Sequence, residues 1–274
     1  MARQRLQPAT RPGAALADDR RYVTALARGL AVLRCFSAND RWLAHQEIAR
    51  RTGLPQATVS RLAFTLTSLG YLQHRVPRGE YALAPGVLAL GFSMLGNFDI
   101  GRIARPYMQA LADQTQAAVS LGVRHELNMV YVAHCRSSAR LSLGLDVGAS
   151  LPLASTAMGR ALLVALSDDA RAQLGQRLRT EQPAEWPLWQ SSLPRALAQH
   201  AAQGFVSSEC EWESDIAAVG AAVRLADGRE PLALTVGGAA SRLQGALLHE
   251  DFGPAVLRTA LQITAALHNG DWSV

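Results

Sequence analysis

A chain of 274 residues is long enough for two domains, and a hydrophobic content of 49% is ample for a substantial second core. The net charge of +5 is unevenly placed: positions 1–95 carry 13 Arg against 5 Asp/Glu, and positions 96–274 carry 14 Arg against 17 Asp/Glu. A basic half joined to a mildly acidic half suggests a nucleic-acid module carried by a domain that does something else. All the basic side chains are Arg, in both halves alike, which reads as composition bias more than as phosphate recognition. Cys35, Cys135 and Cys210 are odd in number and far apart, so they form neither a disulfide framework nor a zinc site, and reduced thiols in a cytoplasm are expected. No segment approaches a membrane span or a secretory leader.

Residues 1–20, with Arg3, Arg5, Arg11, Pro8 and Pro12, lack an apolar core and read as a disordered basic tail. Leu26, Leu30, Leu33 and Phe36 then recur at helical spacing and predict a first helix that closes a three-helix core. The most informative stretch runs from Glu47 to Leu62. Ile48 faces inward, Ala49 lets a second helix approach, Gly53 suits the left-handed position that ends the first helix, and Leu54 plugs the turn. Pro55 is pre-organised to open the second helix, on which Val59, Leu62 and Leu66 form one apolar stripe. This is a helix-turn-helix; an ordinary αα-hairpin uses the same Gly and Leu. The residues after Gly70 favour the helix-turn-helix. Tyr71–Arg75, a turn at Pro77–Gly79, and Glu80–Leu83 predict a basic hairpin, the wing of a winged helix. Residues 21–85 therefore form the expected DNA-binding domain.

Residues 86–105 are assigned to a linker helix region. A short apolar helix over Pro85–Phe92 precedes a new helix capped by Asp99, and its Leu/Phe content suits either a finished winged-helix core or a dimer surface. From about 106 to 270 the pattern is mixed. Strands are predicted at Ala118–Val123, Met129–Ala133, Arg140–Leu145, Phe205–Val206, Ala217–Arg224 and Leu232–Val236, the last two joined at Asp227-Gly228. Helices are predicted from Ala157 to Leu166 with Thr156 as cap, from Ser167, over 192–203, and from Leu247 to Leu267. Together these describe an α+β domain around one antiparallel sheet.

The chain as a whole resembles the IclR-type (isocitrate lyase regulator) bacterial transcription regulators, over about residues 22–268. The resemblance is carried by Glu47-Ile48-Ala49 with Gly53-Leu54, by Thr58-Val59-Ser60-Arg61-Leu62, by Leu151-Pro152-Leu153-Ala154-Ser155-Thr156-Ala157-Met158-Gly159-Arg160-Ala161-Leu162-Leu163, and by Gly204-Phe205 leading to Ala221-Ala222-Val223. It implies an N-terminal winged helix-turn-helix and a C-terminal GAF-like effector-binding domain. It also implies dimers, or dimers of dimers, on palindromic promoter DNA.

With the apolar stripe inward, the DNA face of the second helix carries Ala57, Ser60, Arg61 and Phe64, with Gln56 and Thr58 beside its N-terminus. Gln56 suits adenine, Ala57 a thymine methyl, and Arg61 either guanine or a phosphate; Ser60 and Thr58 suit base or phosphate. Phe64 is read either as a contact to the first helix or as packing on a methyl group in the groove. Arg75 and Arg78 on the wing are expected at phosphates or in the minor groove. By resemblance, the effector pocket is lined by Leu143, Ala157, Met158, Gly159, Glu211, Trp212, Ala218, Thr235 and Gly237. Few polar groups and an aromatic wall at Trp212 favour an aromatic or alicyclic acid. Arg140 and Arg160 are weighed as partners for its carboxylate but read as surface residues. The run Glu209, Glu211, Glu213, Asp215 reads as a solvated strand edge.

The sequence holds no G-x-S-x-G, H-E-x-x-H, P-loop or G-x-G-x-x-G that would point to an enzyme. Its histidines share no metal-ligand spacing, so no cofactor or metal is expected. A regulator whose second domain serves only oligomerisation or protein interaction remains the alternative to an effector-controlled one.

Overall fold

The computed structural model describes residues 19–37, 39–96, 98–137, 145–225 and 228–268. The chain divides into two compact units, Met1–Gly96 and Asn97–Val274. No single helix among the described residues is long and apolar enough to cross a membrane.

The first unit holds α1 (Thr24–Arg34), β1 (Leu43–Ala44), α2 (His45–Thr52), α3 (Gln56–Ser68), β2 (Leu72–Arg75), β3 (Glu80–Leu83) and α4 (Pro85–Gly96). Gly53 ends α2 at φ 66°, and its amide donates to the Ala49 carbonyl. Pro55 is the residue before α3 rather than its first turn: its carbonyl accepts from the amides of Thr58 and Val59. Val32, Cys35, Leu43, Ile48, Val59, Ala63, Leu72 and Tyr81 form the core, with Leu33, Phe36, Leu54, Leu62 and Leu66 packed around it. The expected inward face of α1 needs correction. Leu26 and Leu30 are exposed, because Val32 and Cys35 supply the buried contacts instead. A second apolar surface, Leu88, Leu90, Phe92 and Met94, is exposed on α4.

Arg51 ties this unit together. Its guanidinium donates to Asp40, Glu47 and the Cys35 carbonyl, joining α2 to the segment after α1. Burial pushes the Asp40 carboxyl up, but hydrogen bonds from Arg51 and Ser37 outweigh it and hold the group at about 2. Burial drives the Cys35 thiol up to about 12, which makes it inert as a nucleophile.

The second unit holds α5 (Asp99–Thr115), β4 (Ala118–His125), β5 (Asn128–Cys135), β6 (Ser150–Pro152), α6 (Ala157–Ala165), α7 (Asp168–Glu181), α8 (Trp186–Gln203), β7 (Val206–Glu209), β8 (Ile216–Val223), β9 (Leu232–Ala239) and α9 (Gly253–His268). The antiparallel sheet runs β6-β5-β4-β9-β8-β7. Helices α5 and α9 pack on one face, and α6 leads the helices on the other. Thr156 and Ser167 cap α6 and α7 through their side chains, as their sequence positions suggest. Asp99 does not cap; it is the first residue of α5 and pairs with Arg102. Helix α8 begins at Trp186, upstream of the expected 192, and carries Pro194 within it. Residues Leu247–Phe252 form a π-helical turn before α9. The strand expected at Arg140–Leu145 and the residue Asp227 lie, but for Leu145, outside the described residues.

Candidate DNA surface and effector pocket

On α3 the side chains of Gln56, Ala57, Ser60, Arg61 and Phe64 are exposed, and Thr58 is half-buried. Phe64 is 74% exposed, so the reading in which it packs against the first helix is set aside: Ala63, its neighbour, fills that contact. Helical spacing places Ala57, Ser60, Arg61 and Phe64 in one stripe opposite the buried Val59 and Ala63. The wing turn closes at Gly79, with φ 60°, and presents Arg78 to solvent. Arg75 is held more tightly. Its guanidinium lies 4.2 Å from the Trp42 ring centroid and 3.5 Å from Glu80. Across the same hairpin His74 stacks on Tyr81 at 4.4 Å.

The second unit contains a cleft between α6 and its sheet, part of it open to solvent. Register explains its wall. Ser120 on β4 stands between His134 on β5 and Thr235 on β9, and Ala118 lies beside Gly237, which lies beside Ala218 on β8. Met158, Trp212, Leu145, Leu151 and Ile216 supply the apolar surface. Small residues have two different effects here. A Cβ at Gly122 would meet the Met158 sulfur, and one at Gly220 would meet the Ala157 carbonyl, so these glycines let α6 press onto the sheet. A Cβ at Gly237 would meet only Ala218 and the Ala217 carbonyl within 4 Å, so that position borders open space.

Of the residues expected at the pocket, Ala157, Met158, Trp212, Ala218, Thr235 and Gly237 line the cleft. Gly159 does not. A Cβ there would overlap the Leu153 carbonyl, so its role is close packing of α6 on the preceding segment. Glu211 does not line it either, and the acidic run is not an alternating solvated edge. Strand β7 stops at Glu209, which bonds His249, and Glu211 turns into the protein to meet Arg160. Arg160 is therefore no surface residue. Its side chain is 5% exposed, and it donates at 2.7 and 2.6 Å to the two Glu211 oxygens and at 2.9 Å to the Ser207 carbonyl. Arg195 adds a second cation to Glu211 at 2.8 Å. The hydrogen bond from Arg160 is the main reason the Glu211 carboxyl sits below its usual range. Leu143 and Arg140 lie outside the described residues.

Ser208, which the resemblance also places at the pocket, stands in the wall, and so do Ser120, Tyr131, His134, Thr156 and Ile216, which were not expected there from the sequence. Tyr131 and His134 are three apart, and strict alternation would send them to opposite faces. A register shift at Leu121/Gly122 opposite them restores both to the cleft, where their rings stand 6.1 Å apart and nearly parallel. Ser120 did carry a signal, being a polar residue within the apolar run Ala118–Val123.

Two family domains match the chain: the IclR helix-turn-helix domain over residues 25–75 and the bacterial transcriptional regulator IclR C-terminal domain over residues 92–265. The HTH-type transcriptional regulator TsaQ1/TsaQ2 of Comamonas testosteroni is 34% identical over 247 residues, covering 89% of this chain and 88% of its own. A crystal structure of an IclR family transcriptional regulator from Brucella abortus is 39% identical with a TM-score of 0.83, covering 91% of this chain and 94% of its own. An IclR homologue from Microbacterium hydrocarbonoxydans, crystallised with 4-hydroxybenzoate, shares the fold at 20% identity and a TM-score of 0.69, covering 90% of this chain and 100% of its own. With both domains in order and relatives similar along nearly the whole length, the chain belongs to the IclR family of bacterial transcription regulators.

Proposed function

We propose that this regulator binds a palindromic operator as a dimer or dimer of dimers in the cytoplasm, and that a small organic acid with an aromatic or alicyclic body controls that binding. The cleft carries this reading: it has the largely apolar lining of a small-molecule site, with a few polar groups to orient a ligand. The backbone amides of Ala157 and Met158 open α6 at the cleft, where a helix N-terminus suits a carboxylate. The body lies against Met158, Leu151 and Trp212. In the DNA-binding unit, Gln56, Ala57, Thr58, Ser60, Arg61 and Phe64 read the major groove, and Arg75 and Arg78 hold phosphates. One recognition helix per chain reaches one half-site, so useful affinity calls for two chains. The exposed apolar residues of α1 and α4 support pairing, because a lone monomer rarely exposes so many.

A footprint on DNA selected by the full-length protein is expected to show two half-sites about one helical turn apart. Gly237→Leu tests the effector half. Its Cβ would press on the Ala218 methyl at 3.3 Å, and the remaining atoms enter the cleft that Gly237 borders. Ligands found by thermal-shift screening are expected to lose affinity for the variant while effector-free operator binding persists. Unchanged ligand affinity in Gly237→Leu would place the pocket elsewhere. A footprint lacking two-fold symmetry would remove the dimer.

A further inference from the structure

Resting on that effector reading, we infer that the polar wall formed by Ser120, Tyr131, His134 and Arg136 presents a surplus hydroxyl hydrogen to the cleft, and that the effector carries, besides its carboxylate, an oxygen substituent that accepts it. Each hydrogen in the wall can be assigned in turn. Arg136 Nε donates to His134 Nε2 at 3.2 Å. A guanidinium has no lone pair to offer, so Nε2 must be the acceptor and the neutral imidazole carries its hydrogen on Nδ1. Burial, with the Arg136 charge adding to it, lowers the His134 pKa below the ordinary value, and the ring is neutral at neutral pH. Nδ1–H then donates to Ser120 Oγ at 2.9 Å.

Ser120 and Tyr131 lie against one another in the same wall, and the serine hydroxyl interacts with the buried phenol. Between them these two groups hold two hydroxyl hydrogens. A bond between them uses one, in whichever direction it runs, and leaves at least one O–H without an acceptor among the described residues. The other hydroxyls of the cleft are satisfied within the protein. Thr156 donates to the Pro152 carbonyl at 2.8 Å, Ser208 to the Ser155 carbonyl at 2.8 Å, and Thr235 to the Ser120 carbonyl at 3.4 Å. Those three offer a ligand lone pairs only. The spare hydroxyl donor thus stands at one place, the Ser120–Tyr131 end.

Arg136 is what creates it. Were the imidazole in its other tautomer, Nδ1 would accept from Ser120, Tyr131 could donate to the serine oxygen, and no hydrogen would be left over. Arg136 is itself placed by Asp146 at 3.0 Å and by the Leu145 carbonyl at 3.2 Å. A buried hydroxyl without an acceptor is costly, so a ligand lacking an oxygen at this point is selected against.

Calorimetry on the full-length protein with benzoate and its three monohydroxy isomers tests this. At least one hydroxybenzoate is expected to bind about tenfold more tightly than benzoate, a factor of the size one satisfied buried hydrogen bond supplies. Tyr131→Phe and Ser120→Ala should each shrink that preference, read as the ratio of hydroxybenzoate to benzoate affinity in the same variant. Arg136→Ala, which touches no ligand, should shrink it too without lowering the melting temperature of the unliganded protein. Benzoate binding as tightly as every isomer would overturn the inference and leave the organic-acid reading standing. So would a preference that survives in both Tyr131→Phe and Ser120→Ala. Failure of all four acids to bind would sink the aromatic-acid reading and this inference with it.

Discussion

Replacing Arg160 by Met isolates a buried ion pair that also fixes one wall of the cleft. The guanidinium is 5% exposed, grips both oxygens of a carboxylate that is 22% exposed, and also satisfies the Ser207 carbonyl. Removing one partner of a buried pair costs about 3–5 kcal/mol, chiefly through the charge left behind. Glu211 keeps Arg195 at 2.8 Å, and Arg160 Nε already lacks a partner, so a loss of about 2–3 kcal/mol is expected. At roughly 2–4 °C per kcal/mol for a unit of this size, that lowers the melting temperature by about 4–12 °C. The double variant Arg160→Met, Glu211→Leu should melt above the single one, because no carboxylate then remains to be neutralised. The acid response supplies a second sign. The folded-state pKa of Glu211 is depressed, so its stabilisation is present above the unfolded value near 4.3 and disappears as pH falls through the folded one. Scanning calorimetry from pH 7 to pH 3 should therefore show the gap between wild type and Arg160→Met narrowing toward acid. Because Glu211 precedes Trp212, the single variant should also weaken effector binding. A melting temperature within about 1 °C of wild type at pH 7 would refute the reasoning.

On the wing, Arg78→Ala should flatten the salt dependence of DNA binding more than Arg75→Ala, since Arg75 is already engaged by Trp42 and Glu80; equal slopes in a filter-binding titration would count against this. Phe64→Ala should erase the cost of replacing a thymine by uracil at one operator position, because only the C5-methyl differs. A cost that persists in the variant excludes the methyl contact. Gln56→Ala should lose about 1–3 kcal/mol at one base position, and equal losses on selected and random duplexes would assign Gln56 to phosphate instead. Holding Asp40 at about 2 rather than 3.8 corresponds to about 2 kcal/mol, present above pH 4 and lost as pH falls toward 2. Asp40→Asn should cost about that much at pH 7, and circular dichroism during acid titration reads whether it does.

The helix-turn-helix was legible because each of its residues has a local task that only a few residue types can perform. Gly53 needs the left-handed region, Pro55 cannot continue α2, and Val59 must lie under both neighbours. The first helix was misread for the opposite reason. Apolar residues occur on both of its sides, and periodicity alone does not say whether Leu26 and Leu30 or Val32 and Cys35 are inward. Likewise, nothing in the spacing of Arg160 and Glu211, 51 residues apart, announces a buried pair, because the contact depends on where the segment after β7 turns.

The pocket was half legible, and the limit is physical. Glycine and alanine in strands mark places where something approaches the backbone, but they do not say what. At Gly122 and Gly220 the approaching atoms are the protein's own, from Met158 and Ala157, and the space is filled. At Gly237, with Ala118 and Ala218 beside it in register, no helix atom arrives and a cleft remains. The difference lies in which strand positions α6 reaches, its start lying over Gly122 and Gly220 and not over Gly237. The polar side of the cleft depends on a single register shift at Leu121/Gly122, which brings Tyr131 and His134 to one face and so assembles a wall that alternation would have split. The shape and lining of this cleft are thus decided by the seating of one helix and the slip of one strand pair.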